Sequence, residues 1–244
     1  LTAAQDVIQA GYPVTIFEAM PEAGGMLRLG VPEFRLPIEI IEREVNDIID
    51  LGVDLRLNTR VDNLDDLFAQ GFTCVLIAVG AHEGVRLPIP GANLTGVLIN
   101  TIFLRDVRLG KYKDGSLNGV GKNVMVLGGG NVAIDVARSA VRLGCKVSMA
   151  CLESRETMPA HPWEVAAAEE EGIAIYPSRT FERVVDDGTG RAAGVECMSV
   201  SSFRFDEMGR LQVEKISASN HILPCDTVIF SVGQRAGLAF IPDD

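Results

Sequence analysis

One run restricts the fold more than any other part of this 244-residue chain: Val124-Met125-Val126-Leu127-Gly128-Gly129-Gly130-Asn131-Val132-Ala133-Ile134-Asp135-Val136-Ala137. Four apolar residues in succession predict a buried strand. Asn131–Leu143 has helical spacing, and only three glycines join the two. A connection this short fits the βα turn of a dinucleotide-binding sheet, and Gly128-x-Gly130-x-x-Ala133 matches its fingerprint. Gly128 permits the tight turn. Gly130, with Gly129 beside it, lets backbone amides approach a pyrophosphate with no Cβ in the way. Ala133 allows the helix to pack closely on the strand. Asn131 and Val132 open that helix, whose positive end favours an anion. A plain glycine turn with no ligand is the alternative.

Downstream residues extend this reading. Glu153 follows the next predicted strand, Lys146–Cys151, near the spacing of ~20 residues expected for a ribose-binding acid. A carboxylate there accepts both adenosine ribose hydroxyls and repels a 2′-phosphate, which predicts NADH over NADPH. Arg155, two residues on, leaves NADPH open, and a solvated loop acid is the other reading of Glu153. Asp135 lies one turn into the helix, where it could face the nicotinamide or simply complement the helix dipole. Gly233 ends a last buried strand, Thr227–Val232, at the sheet end where ligands bind in open α/β folds.

The rest of the chain reads as a second copy of the same plan. Thr2–Ala10 predicts a helix, Pro13–Glu18 a strand, 19–36 a loop, and Pro37 the start of a helix with Ile38, Ile41, Val45, Ile48 and Ile49 on one face. Val53–Leu57 predicts a strand and Leu64–Ala69 a short helix. Cys74–Val79 is a continuous apolar run, the pattern of a central parallel strand. Leu98–Leu109 looks helical, and the polar, glycine-containing stretch 110–122 predicts a junction. Short β-like runs from Ile173 to Val213 predict a meander. The expected fold is therefore α/β, with two Rossmann-like three-layer domains: 1–109 with a return segment 235–244, and 110–234 carrying the meander.

Charge and cysteine usage exclude several classes. With 22 Lys plus Arg against 33 Asp plus Glu, the net charge of −11 argues against a nucleic-acid surface. No apolar run is long enough to predict membrane insertion. Five cysteines without CxxC spacing argue against a disulfide framework, a zinc site or a dithiol centre, and fit buried thiols in a cytoplasmic protein. His82, His161 and His221 lack metal-ligand spacing, and Trp163 reads as a packing residue.

The segments FEAMPEAGGMLRLGVPEFRLP, LGVDLRLNTRV, IAVGA, GGGNVAIDVA and ETMPA resemble the small (beta) subunit of glutamate synthase. They are similar also to the flavin half of dihydropyrimidine dehydrogenase and to ferredoxin:NAD(P)H oxidoreductase subunits. The resemblance spans nearly the whole chain and implies that the first domain binds FAD and the second NADH or NADPH. It implies that Glu18 meets the FAD ribose, that Gly25 and Met26 lie along the FAD, that Arg35 contacts it, and that Val61 meets the adenine through its backbone. The family's FAD phosphate turn would precede Leu1 and its closing flavin segment would follow Asp244, so the chain is expected to be an internal part of a larger protein. The family's usual Arg pair is replaced by Leu152-Glu153.

The expected function is a flavoprotein oxidoreductase that passes hydride from NAD(P)H to FAD. Electrons would then leave for iron–sulfur clusters of a partner domain or a larger catalytic subunit. No residue of the chain is assigned as a catalytic acid or base, because the cofactors carry the chemistry. A nucleotide-binding scaffold without redox activity, a flavin monooxygenase and a thioredoxin-reductase-like enzyme remain the alternatives. Self-association is open.

Overall fold

The computed structural model describes residues 1–112 and 119–241, and forms two compact units. Leu1–Glu83 with Arg235–Asp244 make the first, and Gly84–Gln234 the second. Residues 113–118 of the expected junction at 110–122 lie outside the described residues.

In the first unit, α1 (Thr2–Gln9) leads to β1 (Thr15–Phe17), which pairs in parallel with β2 (Asp54–Arg56). Between them lie α2 (Gly25–Leu29) and α3 (Ile38–Ile49). Pro37 caps α3, as its fixed φ favours, and the apolar stripe turns Ile41 and Val45 into the core. α2 falls within the stretch expected to be loop. Gly24 and Gly25 punctuate it with positive φ, and Leu29 is buried. After α4 (Asp65–Ala69), the run Cys74–Val79 is not the expected central strand. β1 and β2 pair with each other, no described strand supplies this run with a ladder, and Leu76 is 70% exposed. The chain enters the second unit at β3 (Glu83–Gly84).

The second unit is a three-layer sandwich. Its central sheet is fully parallel in the order β4 (Val97–Ile99), β13 (Thr227–Phe230), β5 (Asn123–Leu127), β6 (Lys146–Ala150), β7 (Ala174–Tyr176). Strand alternation divides the core in two. On one face Val124, Val126, Val147 and Ile229 pack under α5 (Asn100–Arg108), α6 (Asn131–Arg142) and α7 (Pro162–Glu170). On the other, Met125, Leu127, Val228 and Phe230 pack against an antiparallel sheet of β8 (Arg183–Asp186), β9 (Ala192–Cys197) and β12 (His221–Pro224). β10 (Val200–Phe205) and β11 (Leu211–Lys215) form a hairpin between β9 and β12. The chain leaves the unit at β14 (Gln234–Arg235).

Two expectations change here. The stretch 98–109 begins as strand β4 and only then becomes α5, because Val97–Ile99 pairs with Val228–Phe230. That pairing places residues 84–109 in the second unit rather than the first.

Helices α6 and α7 are tied by charge. Glu171 accepts hydrogen bonds from Arg142 at 2.6 Å and Arg138 at 2.7 Å, and these hold its carboxyl down at about 2 from an ordinary 4.5. Its side chain is 24% exposed, so the cluster contributes about 1 kcal/mol. A depressed carboxyl pKa contributes stability above the unfolded value and loses it as pH falls through the folded one. Glu171→Gln should therefore lower stability at pH 7 by about that amount. The gap from wild type should close between pH 4.5 and about 2 in pH-dependent denaturant unfolding.

Candidate dinucleotide site

The site lies at the carboxyl ends of the parallel strands, where the connections from β5 change direction. From β5 the chain moves through α6 to β6, while β13 and β4 lie on the other side of β5. Such a switch point leaves a crevice above the sheet.

The three glycines of the turn meet three different surroundings. Gly128 has φ +139, and a Cβ there would lie 2.2 Å from the Ser231 carbonyl oxygen at the end of β13. Its own N–H donates to the Ala150 carbonyl at 2.8 Å, which pins the turn to β6. A Cβ at Gly129 would lie 2.9 Å from Cys151 Cβ and 3.1 Å from Glu153 Oε2. A Cβ at Gly130 would meet nothing within 4 Å. The turn is thus packed at its first two residues and open at the third, where α6 begins. Ala133 is fully buried beneath it, as close helix-to-strand packing requires.

Ala133 N–H donates to the Gly130 carbonyl at 2.9 Å, so the amides left without an intrahelical carbonyl are those of Asn131 and Val132. They border a cavity of about 230 Å³ lined by Asn100, Gly130, Asn131, Val132, Ala133, Ser231, Gly233 and Gln234. The Asn131 side chain is structural. Its Oδ1 accepts the His161 N–H at 2.9 Å, which fastens the start of α7 to the start of α6. Gly129 supports the same loop, because its carbonyl accepts the Ala160 N–H at 3.0 Å.

Other expected residues fall into two groups. Glu153 sits with its carboxylate beside Gly129, and Gly233, at φ +122, lines the cavity. Asp135 is half-buried within α6 and is not among the cavity-lining residues. Arg155 is held by Glu169 of α7 at 2.5 Å. Trp163, expected to pack, is instead 62% exposed, with its ring parallel to that of His161 at 6.0 Å. The sequence reading missed Asn100, Ser231 and Gln234. The first was hidden by reading β4 as helix; the other two flank Gly233, where only the glycine attracted notice.

In the first unit, the expected residues follow the carboxyl ends of β1 and β2. Glu18 directly follows β1, and its Oε1 accepts the Met20 N–H at 2.8 Å. Its carbonyl accepts the Thr59 N–H at 2.8 Å, which brings the loop leading to Val61 against the loop after β1. Gly25 and Met26 open α2, and Arg35 lies just before α3, its guanidinium 5.7 Å from the Phe34 ring centre. Val61 is half-buried and outside any strand. α2 has five residues, too short to present the dipole that the twelve residues of α6 present.

All five cysteines are free, and only Cys74 is exposed. Burial raises Cys151, Cys197 and Cys225 to about 12 and pushes Cys145 up as well, so these four are not poised as redox thiols. Among the described residues no group of His, Cys, Asp or Glu could hold a metal ion, and no helix is long and apolar enough to cross a membrane.

A parallel sheet with an open glycine turn over a helix N-terminus has the form of a dinucleotide-binding domain. The chain belongs to the pyridine nucleotide-disulphide oxidoreductase family, whose pattern it matches over residues 1–243. It is 40% identical to the NADP(+)-dependent formate dehydrogenase subunit beta of Moorella thermoacetica over 99% of this chain and 34% of that protein. It is 38% identical to the NADPH-Fe(3+) oxidoreductase subunit beta of Geobacter sulfurreducens over 96% and 35%. With the glutamate synthase [NADPH] small chain of Escherichia coli the identity is 31% over 96% and 52%. The chain thus spans about a third to a half of these relatives. Its fold is that of Mycobacterium tuberculosis FprA, solved in complex with NADPH, at TM-score 0.73, 17% identity and coverage of 96% of this chain and 68% of that one.

Two experiments follow from this geometry. Gly128→Ala should cost at least about 2 kcal/mol through strain and collision. Gly130→Ala should stay within about 1 kcal/mol of wild type. Denaturant unfolding of both variants checks the contrast. In a thiol titration at pH 8, one cysteine should react quickly without denaturant and the other four only after unfolding; mutation of Cys74 should remove the fast phase.

Proposed function

We propose that this chain is the nucleotide-binding part of a flavoprotein oxidoreductase that takes hydride from NAD(P)H. The observation that carries the proposal is the open face of Gly130 at the α6 N-terminus, with the Glu153 carboxylate beside the neighbouring Gly129. The turn fits a pyrophosphate: amides without partners point at the ligand, and the helix dipole favours its charge. When bound, FAD supplies the acceptor for the nicotinamide hydride. This chain's own part is to hold and orient the dinucleotide. Glu18, Gly25, Met26, Arg35 and Val61 are the residues proposed to meet FAD; α2 is too short to hold the flavin pyrophosphate by its dipole.

Electron exit to iron–sulfur centres of a partner domain or larger subunit belongs to the same proposal. It is supported by the relatives' names, which describe a beta subunit or a small chain, and by the inert buried thiols, which leave no dithiol route.

NADH is the proposed donor. The Glu153 carboxylate lies beside the turn where an adenosine ribose would sit, and the nearest downstream cation, Arg155, is committed to Glu169. The relatives are named for NADPH or NADP(+), so the preference is a departure carried by Leu152-Glu153. NADH should bind more tightly than NADPH, and Glu153→Ala should weaken NADH about tenfold, the effect of one charge-assisted hydrogen bond. Replacing Leu152 and Glu153 by Arg should raise NADPH affinity. Tighter NADPH binding by the wild-type chain would overturn the preference. Visible absorption of the purified chain mixed with FAD tests the flavin half; no shift of the flavin bands would count against it.

A further inference from the structure

Among the buried polar atoms of the second unit without a hydrogen-bond partner are Asn100 Oδ1, Ser231 Oγ and Gln234 Nε2. All three residues line the cavity that Gly130, Asn131, Val132 and Ala133 border. Asn100 is 1% exposed and Ser231 8%. A buried polar atom left unpaired is unfavourable, so three such atoms on residues that line one cavity require an explanation.

Their place in the sheet supplies half of it. Asn100 directly follows β4 and Ser231 directly follows β13, and these strands are adjacent, with Ile99 opposite Phe230. Both therefore stand at carboxyl ends on the β13 side of β5, while Glu153 stands on the β6 side. A dinucleotide with its pyrophosphate on the α6 N-terminus extends one nucleoside to each side. Glu153 takes the adenosine side, which leaves the nicotinamide for Asn100, Ser231 and Gln234. The cavity, at about 230 Å³, is smaller than the roughly 300–1,000 Å³ that encloses a drug-sized ligand, so it suits one end of such a molecule.

The atoms supply the other half. Gln234 Nε2 is a donor, Asn100 Oδ1 an acceptor, and Ser231 Oγ can be either. Donors alone would suit a second phosphate. A buried acceptor among them disfavours an anion and calls for a group that also carries N–H. A primary carboxamide has one acceptor oxygen and two N–H donors. We propose that Asn100, Ser231 and Gln234 recognise the carboxamide of the nicotinamide ring. Its N–H donates to Asn100 Oδ1, its oxygen accepts from Gln234 Nε2, and Ser231 Oγ completes the set. Gly84 makes the arrangement possible: a Cβ there would lie 2.2 Å from Asn100 Oδ1. This proposal rests on the dinucleotide reading and goes beyond it by naming the groups that distinguish the nicotinamide.

The test uses three probes on the 244-residue chain: NAD⁺, ADP-ribose, which lacks the nicotinamide, and 3-acetylpyridine adenine dinucleotide, in which a methyl replaces the amide nitrogen. Binding is read by calorimetry. Wild type should bind NAD⁺ about tenfold more tightly than the acetylpyridine analogue. Asn100→Ala should weaken NAD⁺ about tenfold, abolish that discrimination and leave ADP-ribose affinity unchanged. Ser231→Ala should likewise weaken NAD⁺ and spare ADP-ribose. Equal losses for NAD⁺ and ADP-ribose in the variants would overturn the proposal, since a merely structural role would affect both. Wild type that binds ADP-ribose but shows no preference between NAD⁺ and the analogue would overturn the carboxamide site and leave the dinucleotide reading standing. Wild type that binds none of the three would end both.

Discussion

The approach of the Gly128 backbone to the Ser231 carbonyl is the contact on which the site depends. A Cβ at Gly128 would lie 2.2 Å from that oxygen. Because only glycine fits, β5 can run to its last residue beside β13 before the chain turns into α6. The same closeness puts the open third glycine, the helix amides and the end of β13 around one cavity. A wider turn would separate the phosphate cradle from the residues beside Gly233. Steric allowance at one backbone position therefore determines which side chains can meet a single ligand.

The layers around that turn divide the work of stability. β5 and β13 bury side chains on both faces, so neither face can change without repacking a core. α6 is bound to the sheet by Ala133, Ile134, Val136 and Ala137, and to α7 by the Arg138, Arg142 and Glu171 cluster. The Asn131 side chain adds a link at the other end of α6. The helix that offers its positive end to an anion is thus held at both ends, and its amides stay in place without a ligand. Preorganisation of this kind reduces the ordering cost of binding.

The sequence was most legible where local signals and long-range packing agree. Strand β5, the glycine turn and α6 are specified by apolar succession, missing side chains and helical spacing within fourteen residues, and the structure contains all three. The antiparallel pairs β8–β9 and β10–β11 could be foreseen from their turns, whereas Ala174–Tyr176, expected to open the meander, joins the parallel sheet as β7 because it pairs with β6. Cys74–Val79 was misjudged because its composition meets the needs of a central strand, but a strand also requires neighbours, and composition does not reveal them. β4 was missed for the converse reason: three residues before a helix carry too little periodicity to register, and their pairing with β13 is settled more than a hundred residues away. The error reached the site. Asn100 looked like an interior helix residue when it is in fact the first residue after a strand, and its unpaired oxygen could be recognised only once Ser231 and Gln234 stood beside it.

The exposed run Cys74–Val79 has a consequence for handling the protein. Six consecutive residues without charge or proline, rich in β-branched side chains, have the composition of segments that stack into intermolecular cross-β contacts. Leu76, Ile77 and Val79 already face outward in the folded chain. Strand-to-strand association at this segment needs no prior unfolding of the nucleotide-binding unit. This segment belongs to the first unit, whereas every residue lining the cavity belongs to the second.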